Sequence, residues 1–224
     1  MTRLRGGADG DFLNLHGGAL PCAEELASGA MLLRGFAESE SAALVAAVAQ
    51  VAAAAPFRHM VTPGGYQMSV AMTNCGVAGW VTDRRGYRYS AIDPATDRPW
   101  PAMPPAFRDL ACRAAAAAGF DGFAPESCLV NRYVAGTQLS LHQDRNERDY
   151  TAPIVSVSLG LSAVFLFGGL KRSDRPRRVP LASGDVVVWG GPSRLAFHGV
   201  APLAAGDHPL TGGCRINLTL RQAL

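Results

Sequence analysis

The spacing of hydrophobic and polar positions changes along this chain near residue 120, and that change lays out its architecture. Over residues 39–55, Ala, Val and Leu are broken only by sparse polar positions. The run opens on Ser39, suited to N-capping, and closes at Pro56, which predicts a helix. A second helix is predicted over residues 105–118, with prolines in its first turn and Gly119 as its stop. Between them, residues 57–104 are dense in Gly, Pro, Tyr, Trp and Thr without helical period. Irregular strands and loops are expected there, a candidate lid over a site.

Beyond residue 120 the pattern shortens. Residues 128–134, 154–160, 164–167, 185–189, 195–200 and 215–220 are β-rich and punctuated by Gly, Pro or Ser-Gly-Asp. Short strands preceded by two helices predict an α+β fold: a double-stranded β-helix, or jelly-roll, over residues 127–222, backed by the N-terminal helices.

Composition narrows the class. A chain of 224 residues, 48% apolar, can bury one core, so a single domain over residues 19–224 is expected behind a loose, glycine-rich arm over 1–18. The arm lacks the apolar stretch of a signal peptide, and no run of eighteen apolar residues offers a membrane span. Five cysteines (Cys22, Cys75, Cys112, Cys128, Cys214) without C-x-x-C spacing argue against a disulfide framework or a zinc knuckle. A reducing, cytoplasmic setting and a monomer are expected. The net charge of +3 says little, but Arg84–Arg88 and Lys171–Arg178 are local basic clusters that fit phosphate contact.

The candidate chemistry begins at His142-Gln143-Asp144. A lone H-x-D is weak, yet an extended segment would turn His142 and Asp144 to one side. A distant strand must supply the third ligand. His198, inside Leu195-Ala196-Phe197-His198-Gly199-Val200, is the candidate, whereas His16, His59 and His208 have no partner at ligand spacing. Two imidazoles and a carboxylate leave open positions on one face of a metal, the arrangement of non-heme Fe(II) oxygenases; zinc is the competing metal. The strand Arg215-Ile216-Asn217-Leu218-Thr219-Leu220-Arg221 separates them. Alternation puts Arg215, Asn217, Thr219 and Arg221 on one face and the apolar residues on the other. Turned inward, that polar face needs a polar ligand, and two guanidiniums match a dicarboxylate such as 2-oxoglutarate, with Asn131 and Tyr133 adding hydrogen bonds. Turned outward, it would be an ordinary solvated sheet face.

The chain closely resembles the AlkB family of Fe(II)/2-oxoglutarate-dependent nucleic-acid dealkylases, from about residue 20 to residue 222. The resemblance is carried by residues 56–66 (PFRHMVTPGGY), 68–76 (MSVAMTNCG), 140–144 (SLHQD) and 184–191 (GDVVVWGG), and by the Arg-x-Asn-x-Thr-x-Arg strand. It implies His142, Asp144 and His198 as iron ligands. It implies Arg215 at the distal carboxylate of 2-oxoglutarate, with Arg221, Asn217, Asn131 and Tyr133 assisting. Thr62, Tyr66 and Met68 fall in the family's nucleotide-recognition lid; Trp80 matches the residue that stacks on a flipped base, and Tyr87 and Arg172 match further substrate contacts. The implied reaction is oxidative removal of N-alkyl groups, as from 1-methyladenine and 3-methylcytosine, in single- or double-stranded DNA, with RNA left open. Fe(II) and O₂ are implied with 2-oxoglutarate, and succinate, CO₂ and formaldehyde are the products. The chain departs from the family where an acidic residue stands two positions after the metal aspartate: here it is Asn146. Two other classes are set beside this one, an oxygenase of a protein or small molecule and a non-catalytic jelly-roll.

Overall fold

The computed structural model describes residues 23–224; the arm expected over 1–18, with His16 and Cys22, lies outside the described residues. Along the chain, Ala23–Ala27 (β1) and Ala30–Leu33 (β2) pair ahead of helix α1, Ser41–Ala54. Next come Ala71–Gly76 (β3), the hairpin of Gly79–Asp83 (β4) and Gly86–Ser90 (β5), and the short pair Ile92–Asp93 (β6) and Arg98–Pro99 (β7). Helix α2, Pro105–Ala117, precedes Ser127–Val134 (β8), Leu139–His142 (β9), Ile154–Gly160 (β10) and Ala163–Phe167 (β11). Arg177–Leu181 (β12), Val186–Trp189 (β13), His198–Val200 (β14) and Cys214–Arg221 (β15) complete the core.

Eleven of these strands form two antiparallel sheets, ordered β1-β2-β13-β10-β15-β8-β3 and β12-β11-β14-β9, while β4-β5 and β6-β7 pair separately. The expected α+β jelly-roll is the observed architecture. Alternation along β15 explains its layers. Ile216, Leu218 and Leu220 join Val155, Val157, Val186 and Val188 in a core capped by Leu44, Val48 and Val51 of α1 and Phe107 and Leu110 of α2. Burial of each such side chain contributes roughly 1.5–3 kcal/mol. On the opposite face, Ile154, Val187 and Trp189 meet Phe165, Phe167 and Val179 of the smaller sheet. The polar residues of β15 point into that inter-sheet space, so the inward alternative holds.

Helix α2 begins and ends as expected, with Pro105 at its start and Gly119 at φ +86° just past its end. The start of α1 differs. A 3-10 turn, Glu38–Glu40, precedes it, so Ser39 is not the N-cap; Glu40 takes that position without a side-chain cap, and Ser41 Oγ donates to the Ala37 carbonyl at 2.9 Å. Strands β1 and β2 were not foreseen, and neither were β12 and β3. Strand β12 begins inside the Lys171–Arg178 cluster and lies at a sheet edge, where the missing N–H of Pro180 costs nothing. Strand β3, within the segment expected as lid, is instead the edge strand of the large sheet beside β8.

Strand β14 is shorter than expected because residues 195–197 form the turn into it. Its Gly199 passes so close to β9 that an added Cβ would fall 2.5 Å from the Leu139 carbonyl oxygen. That approach lets His198 stand beside His142, its partner in the register. Gly199→Ala must part the two strands, and a lower melting temperature together with weaker divalent-metal binding is expected. Calorimetry checks both, and unchanged metal affinity would mean that the strand spacing does not set the histidine pair.

Candidate active site

Strand β9 ends at His142, β14 begins at His198, and the two imidazole centroids lie 4.3 Å apart. Each ring gives its Nδ1 proton to a backbone carbonyl two residues back, Ser140 at 2.9 Å and Ala196 at 3.0 Å. A carbonyl only accepts, so both Nε2 lone pairs are free to bind a metal. Both point at Asp144: His142 Nε2 is 3.7 Å from Oδ1, and His198 Nε2 is 3.7 Å from Oδ2. The ligand atoms of the three residues all lie within 4.8 Å of one another. Burial, followed by His142, pushes His198 down to about 4 against the pull of Asp144, so it is neutral at pH 7. Burial tends to raise the Asp144 carboxyl, but Arg221, His198 and His142 together hold it well below the usual carboxylate range.

Arg221 gives Nε and Nη2 to Asp144 Oδ2 at 3.0 and 2.7 Å. Burial works against the Arg221 charge, and Asp144, Tyr89 and Glu147 outweigh it. Arg215 has no such counter-charge. Burial pushes it below the ordinary arginine value with only Tyr133 opposing, and its one hydrogen bond reaches Ser158 Oγ at 3.0 Å. The guanidinium lies over the Tyr133 ring, 5.0 Å from its centroid. Its Nε and Nη1 are buried without partners, as are Arg221 Nη1 and Asn131 Oδ1. The three guanidinium nitrogens among these are donors, and unpaired buried donors are costly and suit an anion. The donor set therefore fits 2-oxoglutarate, and the triad fits Fe(II). Asn217 differs from its neighbours: its amide is spent on Ser156 Oγ, the Val157 carbonyl, Asn131 and Thr219, so it braces Asn131 and leaves no free donor.

The triad, Arg215, Arg221, Asn131, Tyr133 and Asn217 line one cavity of about 840 Å³. At its mouth Trp80 on β4 stacks on Tyr87 on β5, with centroids 5.6 Å apart and planes 20° apart. Buried Asn74 of β3 clamps the Trp80 backbone with two hydrogen bonds of 3.0 Å. Asn146 accepts a 3.0 Å hydrogen bond from Trp80 Nε1. Thr62 and Met68 line the same cavity, as does Arg172, which donates to the Leu141 carbonyl at 2.8 Å. Tyr66 does not reach it; it stands 78% exposed at the tip of a loop that Thr62 closes on both sides. The basic cluster at Arg84–Arg88 is partly self-neutralised, since Arg85 and Arg88 both pair with Asp83. Ser158, Glu147, Arg194 and Tyr89 join the site without having been singled out. Glu147 sits in a charge run that looks solvated, and Arg194 in a turn rich in Gly and Pro, so only burial sets them apart.

Comparison with known proteins agrees with this geometry. The family profile of the 2OG-Fe(II) oxygenase superfamily matches residues 29–221. The chain is 60% identical over 212 residues to the alpha-ketoglutarate-dependent dioxygenase AlkB of Escherichia coli, covering 95% of this chain and 98% of that one. It is 37% identical over 121 residues to the human nucleic acid dioxygenase ALKBH1, covering 54% of this chain and 31% of that protein. The solved structure of OsALKBH1 superposes with a TM-score of 0.79 at 29% identity, covering 90% of this chain and all of that one.

The orphaned donors of Arg215 make a measurable demand. A dicarboxylate at a hundred times its dissociation constant should stabilise the wild-type protein by about 2.7 kcal/mol, read as a raised melting temperature. Arg215→Lys keeps the charge and loses the planar fork, so its 2-oxoglutarate affinity should fall clearly. Equal affinity in the two proteins would place the carboxylate elsewhere.

Proposed function

The chain belongs to the 2OG-Fe(II) oxygenase superfamily and, within it, to the AlkB dioxygenases, and from that premise we propose that it removes alkyl groups from the nucleobases of DNA. One observation carries the reading: a His-Asp-His triad and an unpaired buried arginine share a cavity whose mouth is a stacked Trp-Tyr pair. Fe(II), with 2-oxoglutarate and O₂, supplies the oxidation that hydroxylates an N-alkyl carbon, giving succinate, CO₂ and, from a methyl lesion, formaldehyde.

The residues supply placement. His142 and His198 would hold the metal through Nε2 and Asp144 through its carboxylate, a three-residue set of the kind that non-heme Fe(II) oxygenases use. Arg215 takes the distal carboxylate of 2-oxoglutarate in its planar fork, Arg221 offers Nη1 to the same cosubstrate, and Asn131 lines the cavity beside them. Tyr133 forms the wall under Arg215. A target base must leave its stack to reach the metal, and Trp80 and Tyr87 offer it an aromatic face; in other systems such stacking is worth about 1–3 kcal/mol per base. Arg172, Thr62 and Met68 contact the nucleotide at the rim, and exposed Tyr66 meets its neighbours. An oxygenase of a protein or small molecule would leave the Trp80–Tyr87 pair without a task. Alkylated DNA is the preferred partner in this reading, single- or double-stranded, with RNA as the second nucleic-acid class. The protein works as a monomer in the cytoplasm, in keeping with the free thiols of Cys75, Cys112, Cys128 and Cys214. Among the described residues no helix is long and apolar enough to cross a membrane.

Asn146 tests the substrate reading. Asn146→Asp keeps an acceptor for Trp80 Nε1 and adds a negative charge at the mouth of the cavity. Hydrogen bonds to charged groups contribute about 1.5–3 kcal/mol against about 1 for neutral pairs, so cationic lesions should gain several-fold over neutral ones. The measurement compares wild type and variant on oligonucleotides carrying 1-methyladenine, 3-methylcytosine or a neutral etheno adduct, at one pH and salt. A uniform change across the three would remove Asn146 from the base pocket.

A further inference from the structure

Behind the metal triad, Glu147 is sealed from water, its side chain 1% exposed. Tyr89 Oη donates to its Oε1 at 2.6 Å, Arg194 Nη2 lies 3.1 Å from Oε2, and Arg221 Nε lies 3.5 Å from Oε1. Both arginines continue to Asp144. Arg194 Nη1 donates to its backbone carbonyl at 2.9 Å, and Arg221 holds its carboxylate at Oδ2, the oxygen that His198 Nε2 approaches to 3.7 Å. Tyr89, for its part, stands opposite Trp80 in the β4–β5 register. One carboxylate thus joins the aromatic hairpin to the residue that closes the triad.

Two carboxylates and two guanidiniums balance in charge within this cluster. Replacing such buried ion networks with hydrocarbon is often neutral or stabilising, so stability alone gives no reason for this one. A network of paired charges does fix geometry, and removing one member leaves its partner free to move. Without Glu147, Asp144 is the carboxylate left to Arg221, Arg194 keeps only the Ala152 and Asp144 backbone carbonyls, and Arg221 could swing toward the cosubstrate and away from the metal ligand.

We infer that Glu147 is a positioning residue: through Arg221 and Arg194 it sets Asp144 for metal binding, and through Tyr89 it ties that setting to the hairpin that carries Trp80. The inference rests on Asp144 being a metal ligand, as proposed above. It couples base capture to metal geometry. A hairpin displaced from its closed position loses the Tyr89 contact, loosens Glu147 and leaves Asp144 less well held.

The test is calorimetric titration of the full-length apoprotein with Mn(II), in the presence of 2-oxoglutarate and without O₂ turnover, alongside the melting temperature of each variant. Loss of groups that orient metal ligands typically lowers metal affinity about 10–100-fold, so Glu147→Gln should weaken Mn(II) binding about tenfold or more. Tyr89→Phe keeps the ring and its packing and removes only the O–H; it should weaken Mn(II) binding several-fold while melting near the wild type. If Glu147→Gln does not fold, Tyr89→Phe decides alone. Wild-type Mn(II) affinity in Tyr89→Phe overturns the inference and leaves the metal site standing. Failure of the wild-type protein to bind Mn(II) overturns the metal assignment and the inference with it.

Discussion

Four polar side chains stand on the inner face of β15, backed by a face of pure hydrocarbon, and the rest of the structure answers to that constraint. Ile216, Leu218 and Leu220 lock the strand against the helices, so Arg215, Asn217, Thr219 and Arg221 cannot turn to solvent. Unpaired charge in such a place is expensive. Asp144 answers Arg221, Ser156 and the Val157 carbonyl answer Asn217, and Arg215 is left with two buried nitrogens for a ligand to meet. The proposed cosubstrate site is thus what the protein's own groups leave unsatisfied, beside the triad whose aspartate Arg221 holds.

The metal site has a similar economy. The two histidines face each other because Gly199 lets β14 lie against β9, and their tautomers are fixed by the carbonyls of Ser140 in β9 and Ala196 in the turn before β14. The smaller sheet therefore carries the two histidines, the loop leading from β9 carries Asp144, and the larger sheet carries the cation that holds Asp144. Closing the jelly-roll brings the two histidines together, and the loop after β9 completes the cluster.

Much of this was legible in the chain because period-2 alternation is a local property. The polar face of β15 and the closeness of His142 to Asp144 follow from spacing, though not which way that face turns, and α2 follows from its prolines and Gly119, whereas the Ser39 cap expected for α1 is not formed. What stayed hidden depends on distant partners. Strand β12 reads as a basic loop because its outward face is charged, and β3 reads as lid because its pairing with β8 lies more than fifty residues away. Glu147 and Arg194 look like solvated charges until burial is known. The Arg84–Arg88 cluster looks more basic than it is because Asp83, just outside it, takes two of its arginines. Ligand identity went further than physics alone: spacing allows a dicarboxylate, and kinship with AlkB makes it 2-oxoglutarate.

The most direct measurement is product stoichiometry: succinate and formaldehyde released by the wild-type protein with Fe(II), 2-oxoglutarate and O₂, on an oligonucleotide carrying 3-methylcytosine. The account predicts formaldehyde equal to the cytosine restored, with succinate rising in step and both absent without iron. Succinate formation that the methylated oligonucleotide does not stimulate, with no formaldehyde and no restored cytosine, would contradict it.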